Sequence, residues 1–138
     1  MKLPDNDKGT KTALAQYRLS CAERDLRDAE LLLSHEAFDS AVNRAYYAVF
    51  HAINAIHSLD GHGYKRHKDA IGNFNKNYVH TGIFPKEYGR LVVLAETMRR
   101  NSDYEDYYTT TKDEAVKQFH FAKEFFHAVK QYCEERYE

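Results

Sequence analysis

Arg44, Tyr47 and His51 stand at i, i+3 and i+7 of one unbroken run from Ser40 to Ser58, SAVNRAYYAVFHAINAIHS. A helix of 3.6 residues per turn and 1.5 Å per residue places them on one line, with the Arg44 and His51 Cα atoms about 10.5 Å apart. An arginine supplies a fixed charge and a two-pronged donor suited to phosphate. A histidine moves protons near neutral pH. The trio could flank one phosphate-sized group or address two neighbouring ones, with Tyr47 positioning. The structural reading is equally plain. Arg44 would pair with an acid on a neighbouring helix, and Tyr47 and His51 would fill a seam.

The rest of the run sharpens the question. Ala41, Val42, Ala45, Val49, Ala52, Ile53 and Ile56 form an apolar face. Asn43, Arg44, Tyr47, His51, Asn54 and Ser58 form the polar one. It holds no Lys, Asp or Glu, the usual dress of a solvated helix face, so a site or an interface is expected there.

Two further clusters carry polar chemistry. Arg99-Arg100-Asn101-Ser102-Asp103-Tyr104 is expected where a helix ends and a Tyr-rich, acidic loop begins. It reads as helix capping, with Asp103 accepting from Arg99 or Arg44, or as a surface that binds phosphate and stacks bases. Lys65-Arg66-His67-Lys68 gathers basic residues at a helix N-terminus, against the macrodipole. It reads as an exposed basic loop or as an anion site.

The elements that must position these residues are helical throughout. A first helix is expected from about Thr12 to Ser34, after a flexible N-terminal segment, residues 1–11. After a tight connection at residues 35–38, Asp39 or Ser40 can cap the second helix. That helix ends near Leu59, at Asp60-Gly61-His62-Gly63. A weaker third helix covers His67 to Val79 and stops at Thr81-Gly82. Pro85 suits the first turn of a fourth helix, running to about Arg100. Thr111 and Glu114 form a capping box before the last helix. Four long helices and one short one predict a single all-α domain over residues 12–138, an antiparallel four- or five-helix bundle.

Composition bounds the functions. The chain has 138 residues, 43% hydrophobic and 30% charged, with a formal charge of −1, which fits one soluble globular domain and no strongly basic nucleic-acid binder. Cys21 and Cys133 lie far apart without CxxC spacing, as expected of reduced thiols in a cytoplasmic protein. No apolar run is long enough to span a bilayer, so no membrane partner is expected. GxSxG, GxGxxG, Walker A and HExxH motifs are absent from the sequence. His120 and His127 share a helix stripe without a Glu-x-x-His pattern, so neither metal nor cofactor is expected.

Several segments, in order, resemble the HEPN domain, above all its small stand-alone prokaryotic members. They are Asp25-Leu26, Ala29 and Leu32-Leu33 on the first helix, then Arg44-Ala45-Tyr46-Tyr47-Ala48 and Phe50-His51-Ala52 on the second. Lys65-Arg66-His67, Thr81-Gly82-Ile83-Phe84-Pro85, and Arg99 with Asp103-Tyr104 complete the likeness. The resemblance implies an antiparallel bundle that commonly dimerises. It also implies a metal-independent RNase or RNase-like toxin, paired with a nucleotidyltransferase-type antitoxin. The alternative is a non-catalytic module binding RNA, a nucleotide or a partner. The family's R-x4-6-H motif usually leads into the last long helix. Here Arg100-Asn101 has its start, but no His follows within seven residues, and the in-range spacing is Arg44 to His51. The site expected from the resemblance is catalytic Arg44, His51 and Tyr47, with Arg99, Arg100, Asn101, Asp103, Tyr104, Lys65 and His67 binding substrate. Antitoxins of this class can modify a toxin hydroxyl, for which Tyr104, Tyr107 and Tyr108 are candidates.

Overall fold

The computed structural model describes residues 8–104 and 108–137. Five α-helices follow one another: α1 (Lys8–Ser34), α2 (Phe38–Leu59), α3 (His67–Phe74), α4 (Lys86–Tyr104) and α5 (Lys112–Glu134). The architecture is the expected all-α bundle. α3 runs on into a single π-helical stretch, Asn75–Val79, so the third segment covers the expected span with a widened last turn.

α2 is the central helix. It packs most extensively on α1, then on α5, α4 and α3. The α1–α2 seam is built on alanine. Ala15, Ala22 and Ala29 recur every seven residues on α1, and Ala41, Ala45, Ala48, Ala52 and Ala55 line α2, all essentially fully buried. Small side chains bring the two backbones close, so a short polar side chain in this seam can reach across it. The other half of the core is aromatic. Phe125 is fully buried and meets Phe74, Tyr88 and Phe121 at ring-centroid distances of 5.4, 5.6 and 5.5 Å. Burying one such ring stabilises by about 2–3 kcal/mol.

The helix ends follow local chemistry, with three departures from the sequence reading. α1 is already helical at Lys8, the first described residue, ahead of the expected start near Thr12. α2 starts at Phe38, behind Ala37, with no side-chain cap, so neither Asp39 nor Ser40 serves as its cap. Glu36 makes the preceding turn in the left-handed region (φ 59°). Asp39 then sits in the first turn, where a carboxylate still suits the helix dipole. Its Oδ1 accepts the Thr110 amide at 3.1 Å instead, a tertiary bond that fixes the approach to α5. α4 continues to Tyr104, so Arg99 and Arg100 lie inside a helix and not at its end. The expected breaks hold: Gly61 (φ 78°) and Gly82 (φ 85°) take the left-handed conformation that closes a helix without Cβ strain. The capping box holds too, with Glu114 N donating to Thr111 Oγ1 and Thr111 N to Glu114 Oε1.

Candidate functional site

The alanine seam of α1 carries one fully buried charged side chain among the described residues, Asp25, and only 2% of it is exposed. Arg44 Nη1 donates to its Oδ1 at 3.2 Å, and His51 Nε2 faces its Oδ2 at 3.4 Å. Oδ2 accepts no hydrogen bond among the described residues. The two residues that the sequence put on one line of α2 therefore converge on one buried carboxylate of α1. Burial pushes the Asp25 carboxyl up, opposed by the charges of His51 and Arg44. Burial also pushes the His51 imidazole below its ordinary range, opposed by Asp25 and reinforced by Arg18, Arg24 and Arg44. The result is an imidazole and a carboxyl group, each shifted by burial toward its uncharged form, beside a guanidinium.

From this triangle a polar chain runs across α2 to α4. Arg44 Nε and Nη2 donate to Asn43 Oδ1 at 3.0 and 2.7 Å, and Asn43 Nδ2 donates to Asp103 Oδ2 at 3.0 Å. Asp103 also pairs with Arg99 at 3.7 Å. Arg99 is buried, pairs with Glu96 at 3.7 Å, and lies over the rings of Tyr46 and Tyr47 at 4.9 and 5.8 Å. Tyr46 OH sits 2.7 Å from His67 Nδ1, and His67 stacks on Phe50 at 3.9 Å. Burial, with Arg99 nearby, holds His67 below its ordinary range, and its Nδ1 shares one hydrogen bond with the Tyr46 hydroxyl. A cleft of about 570 Å³ opens beside this chain, lined by Asp39, Ser40, Asn43, Arg44, Ser102 and Asp103 among others.

Of the expected site residues, Arg44, Tyr47, His51, Arg99, Asp103 and His67 are brought together. Tyr47 lies under the Arg44 guanidinium at 4.9 Å and 6.2 Å from the His51 ring. Arg99, expected to bind substrate, is buried, with Glu96, Asp103 and two aromatic faces around its charge and its Nε without a hydrogen-bond partner. Arg100 turns outward to Glu96 at 3.1 Å. Asn101 is half-buried in the last turns of α4, and Lys65 is exposed before α3. The basic cluster at α3 divides: Arg66 pairs with Asp69 at 3.0 Å, while His67 points inward. Tyr104 ends α4, but its side chain and all of Tyr107 lie outside the described residues; Tyr108 is half-buried. The polar stripe of α2 is shorter than expected. Asn54 and Ser58 are buried, and Ser58 Oγ donates to Asn54 O at 2.8 Å. Among the described residues no group of three His, Cys, Asp or Glu could hold a metal. No described helix is long and apolar enough to cross a membrane.

Fold and site together define an all-helical domain whose central helix displays a histidine, an arginine and a tyrosine over a buried acid. Comparison with known proteins gives that class a name. The HEPN domain model matches residues 15–132, and the chain belongs to this family. A UPF0332 protein of Thermotoga maritima is 30% identical, covering 91% of this chain and 95% of its own. A Methanocaldococcus jannaschii protein named "Putative toxin" is also 30% identical, over 87% of this chain and 89% of its own. A second protein of that name from the same organism is 28% identical, over 80% and 76%.

Proposed function

We propose that this protein is a metal-independent endoribonuclease of toxin type, with Asp25, Arg44 and His51 at its centre. The observation that carries the reading is the convergence of Arg44 and His51 on the buried Asp25 carboxylate. A His51 tautomer with its proton on Nε2, 3.4 Å from Asp25 Oδ2, keeps Nδ1 as a base. Nδ1 takes the proton of a ribose 2′-OH, the 2′-oxygen bonds to the adjacent phosphorus, and the P–O5′ bond breaks. The departing 5′-oxygen takes a proton from water, the hydroxide recovers the proton held on His51 Nδ1, and a 2′,3′-cyclic phosphate is left. The Arg44 charge offsets the charge that builds on the phosphate oxygens. Tyr47, under Arg44 and beside His51, positions the substrate. The relatives named as toxins support a toxin role; a nucleotidyltransferase-type antitoxin as partner and a cytoplasmic target are part of the same proposal. A symmetric homodimer would set two such sites together.

A second reading has its own observation. The Arg44 guanidinium already commits three of its N–H donors to Asn43 and Asp25, as in a structural brace. No His follows Arg100 within seven residues. Both favour a non-catalytic module that binds RNA or a nucleotide. Purified protein incubated with RNA in EDTA separates the two. The nuclease reading expects cleavage that His51→Ala and Arg44→Ala each reduce. Cleavage unaffected by both substitutions defeats the site, and a wild-type protein that cuts no RNA defeats the nuclease.

A further inference from the structure

The triangle of Asp25, Arg44 and His51 is bordered on α1 by a rim of the half-buried Arg18 and the exposed Tyr17 and Arg24, which make no bond to it. Arg18 lies seven residues, two turns, before Asp25 and so shares its line within about 20°. Arg24 adjoins Asp25, about 100° round the helix. Tyr17 lies seven residues before Arg24, on that outer line, and 64% of it is exposed. The positive charges of Arg18, Arg24 and Arg44 all reach the His51 imidazole. Among the described residues neither Arg18 nor Arg24 is tied by a hydrogen bond or ion pair. Arg44 is so tied. Three guanidiniums therefore stand against two carboxylates on this rim, Asp25 and Asp28, and Asp25 is already committed to Arg44 and His51. Glu23 is turned away, to Arg27 at 3.4 Å.

Uncommitted guanidiniums interleaved with an exposed aromatic ring are what a single-stranded nucleic acid requires. The cations track phosphates, and the ring stacks a base whatever its identity. We infer that Tyr17, Arg18 and Arg24 form the strand-binding rim of the His51 site, taking phosphodiesters on the two arginines and a base on Tyr17. The inference rests on the proposed RNA-directed function and adds its binding surface. It also assigns the anchoring charge to α1, where it is free, and leaves Arg44 to the scissile group.

Its test separates binding from cleavage. A fluorescein-labelled, 2′-O-methylated oligouridylate cannot be cut through its 2′-oxygen, so anisotropy titrations in EDTA at several salt concentrations read binding alone. Each lost phosphate contact on a single strand lowers the slope of log K against log salt by about 0.7. Arg18→Gln with Arg24→Gln should lower it by about 1.4 and weaken binding about 25-fold at 0.1 M salt. Arg18→Lys with Arg24→Lys should retain most of the affinity. Tyr17→Ala should weaken binding about fivefold or more at an unchanged slope. Lys123→Gln with Lys130→Gln on α5, removing the same charge elsewhere, should change neither. An unchanged slope in the arginine double variant overturns the inference. So does an equal loss in the α5 control, or failure of the wild-type protein to bind. A protein that binds through this rim but never cuts unmodified RNA removes the nuclease reading and keeps the rim.

Discussion

Replacing Asp25 with Asn tests the centre of the site at almost constant shape. The carboxylate is 2% exposed, with the Arg44 guanidinium at 3.2 Å and the His51 imidazole at 3.4 Å. Removing one member of a fully buried ion pair costs about 3–5 kcal/mol, because the other charge is stranded. Here Arg44 is 37% exposed and keeps its two bonds to Asn43, so water takes up most of the stranded charge. The substitution also lifts the penalty of burying a carboxylate. The net cost is therefore about 1 kcal/mol or less, close to that of an exposed pair, or about 4 °C in Tm for a domain of this size. Cleavage should suffer far more. An amide NH2 set against His51 Nε2 favours the tautomer with its proton on Nδ1, which removes the base. A carboxylate that fixes an imidazole tautomer is worth up to about 10⁴-fold in kcat. Whatever cleavage remains should lose its activity at a lower pH than wild type, because Asp25 raises the proton affinity of His51. Fluorogenic RNA in EDTA measures the rate, and thermal denaturation measures the stability. Wild-type kcat/KM with an unmoved pH limb would refute the reasoning. A fall in Tm beyond about 10 °C would instead make Asp25 a keystone of the fold.

Other consequences follow from the same geometry. Burial lowers the His51 proton affinity, so kcat/KM should rise with pH through an apparent pKa below about 6.5 and be level by neutrality; a limb above 7 would contradict this. His57 is buried, with Nε2 2.9 Å from Ala70 O, and burial lowers its proton affinity. The unfolded chain then binds the extra proton first, so this residue's contribution falls as pH drops through about 6.5 toward its folded value. The Tm difference between wild type and His57→Phe should shift against wild type between pH 7.5 and 5.5, and an unchanged difference counts against it. Thr111→Ala breaks the capping box and should cost about 1 kcal/mol, read as a Tm loss of a few degrees with RNA binding intact. Phe125→Ala empties the centre of the aromatic core and should cost about 3–5 kcal/mol by denaturant titration.

Much of this fold is legible in the sequence because its punctuation is local. Gly61, Gly82 and the Thr111–Glu114 pair act on the backbone beside them, and each ends or begins a helix where expected. The line Arg44–Tyr47–His51 is legible for the same reason, since helical spacing alone fixes it. What escaped depends on packing. Asp25 is legible as part of the Asp25-Leu26 likeness, but its burial and its two partners are not; their signal is its place between Ala22 and Ala29 in a sevenfold alanine rhythm. Arg99 reads as a surface cation, and only Glu96, Asp103 and the two tyrosine rings make its burial affordable. Asp39 reads as a cap because its type fits one. Its actual partner, the Thr110 amide, is 71 residues away. Asn54 and Ser58 continue the polar spacing of α2, but α2 enters the core before it reaches them.

The three-residue link between α1 and α2, residues 35–37, has a dynamic consequence. Asp25, Arg44 and His51 all belong to the hairpin it joins. An opening that lifts α4 away from α2 breaks the Asn43–Asp103 bond and the Arg99 brace, yet severs no contact within the triangle. Amide hydrogens of α4 can therefore exchange through such partial openings while the triangle stays assembled. Loss of the triangle itself requires parting two helices that share one short tether and an alanine seam. Its lifetime follows the opening of that hairpin, whatever the rest of the bundle does.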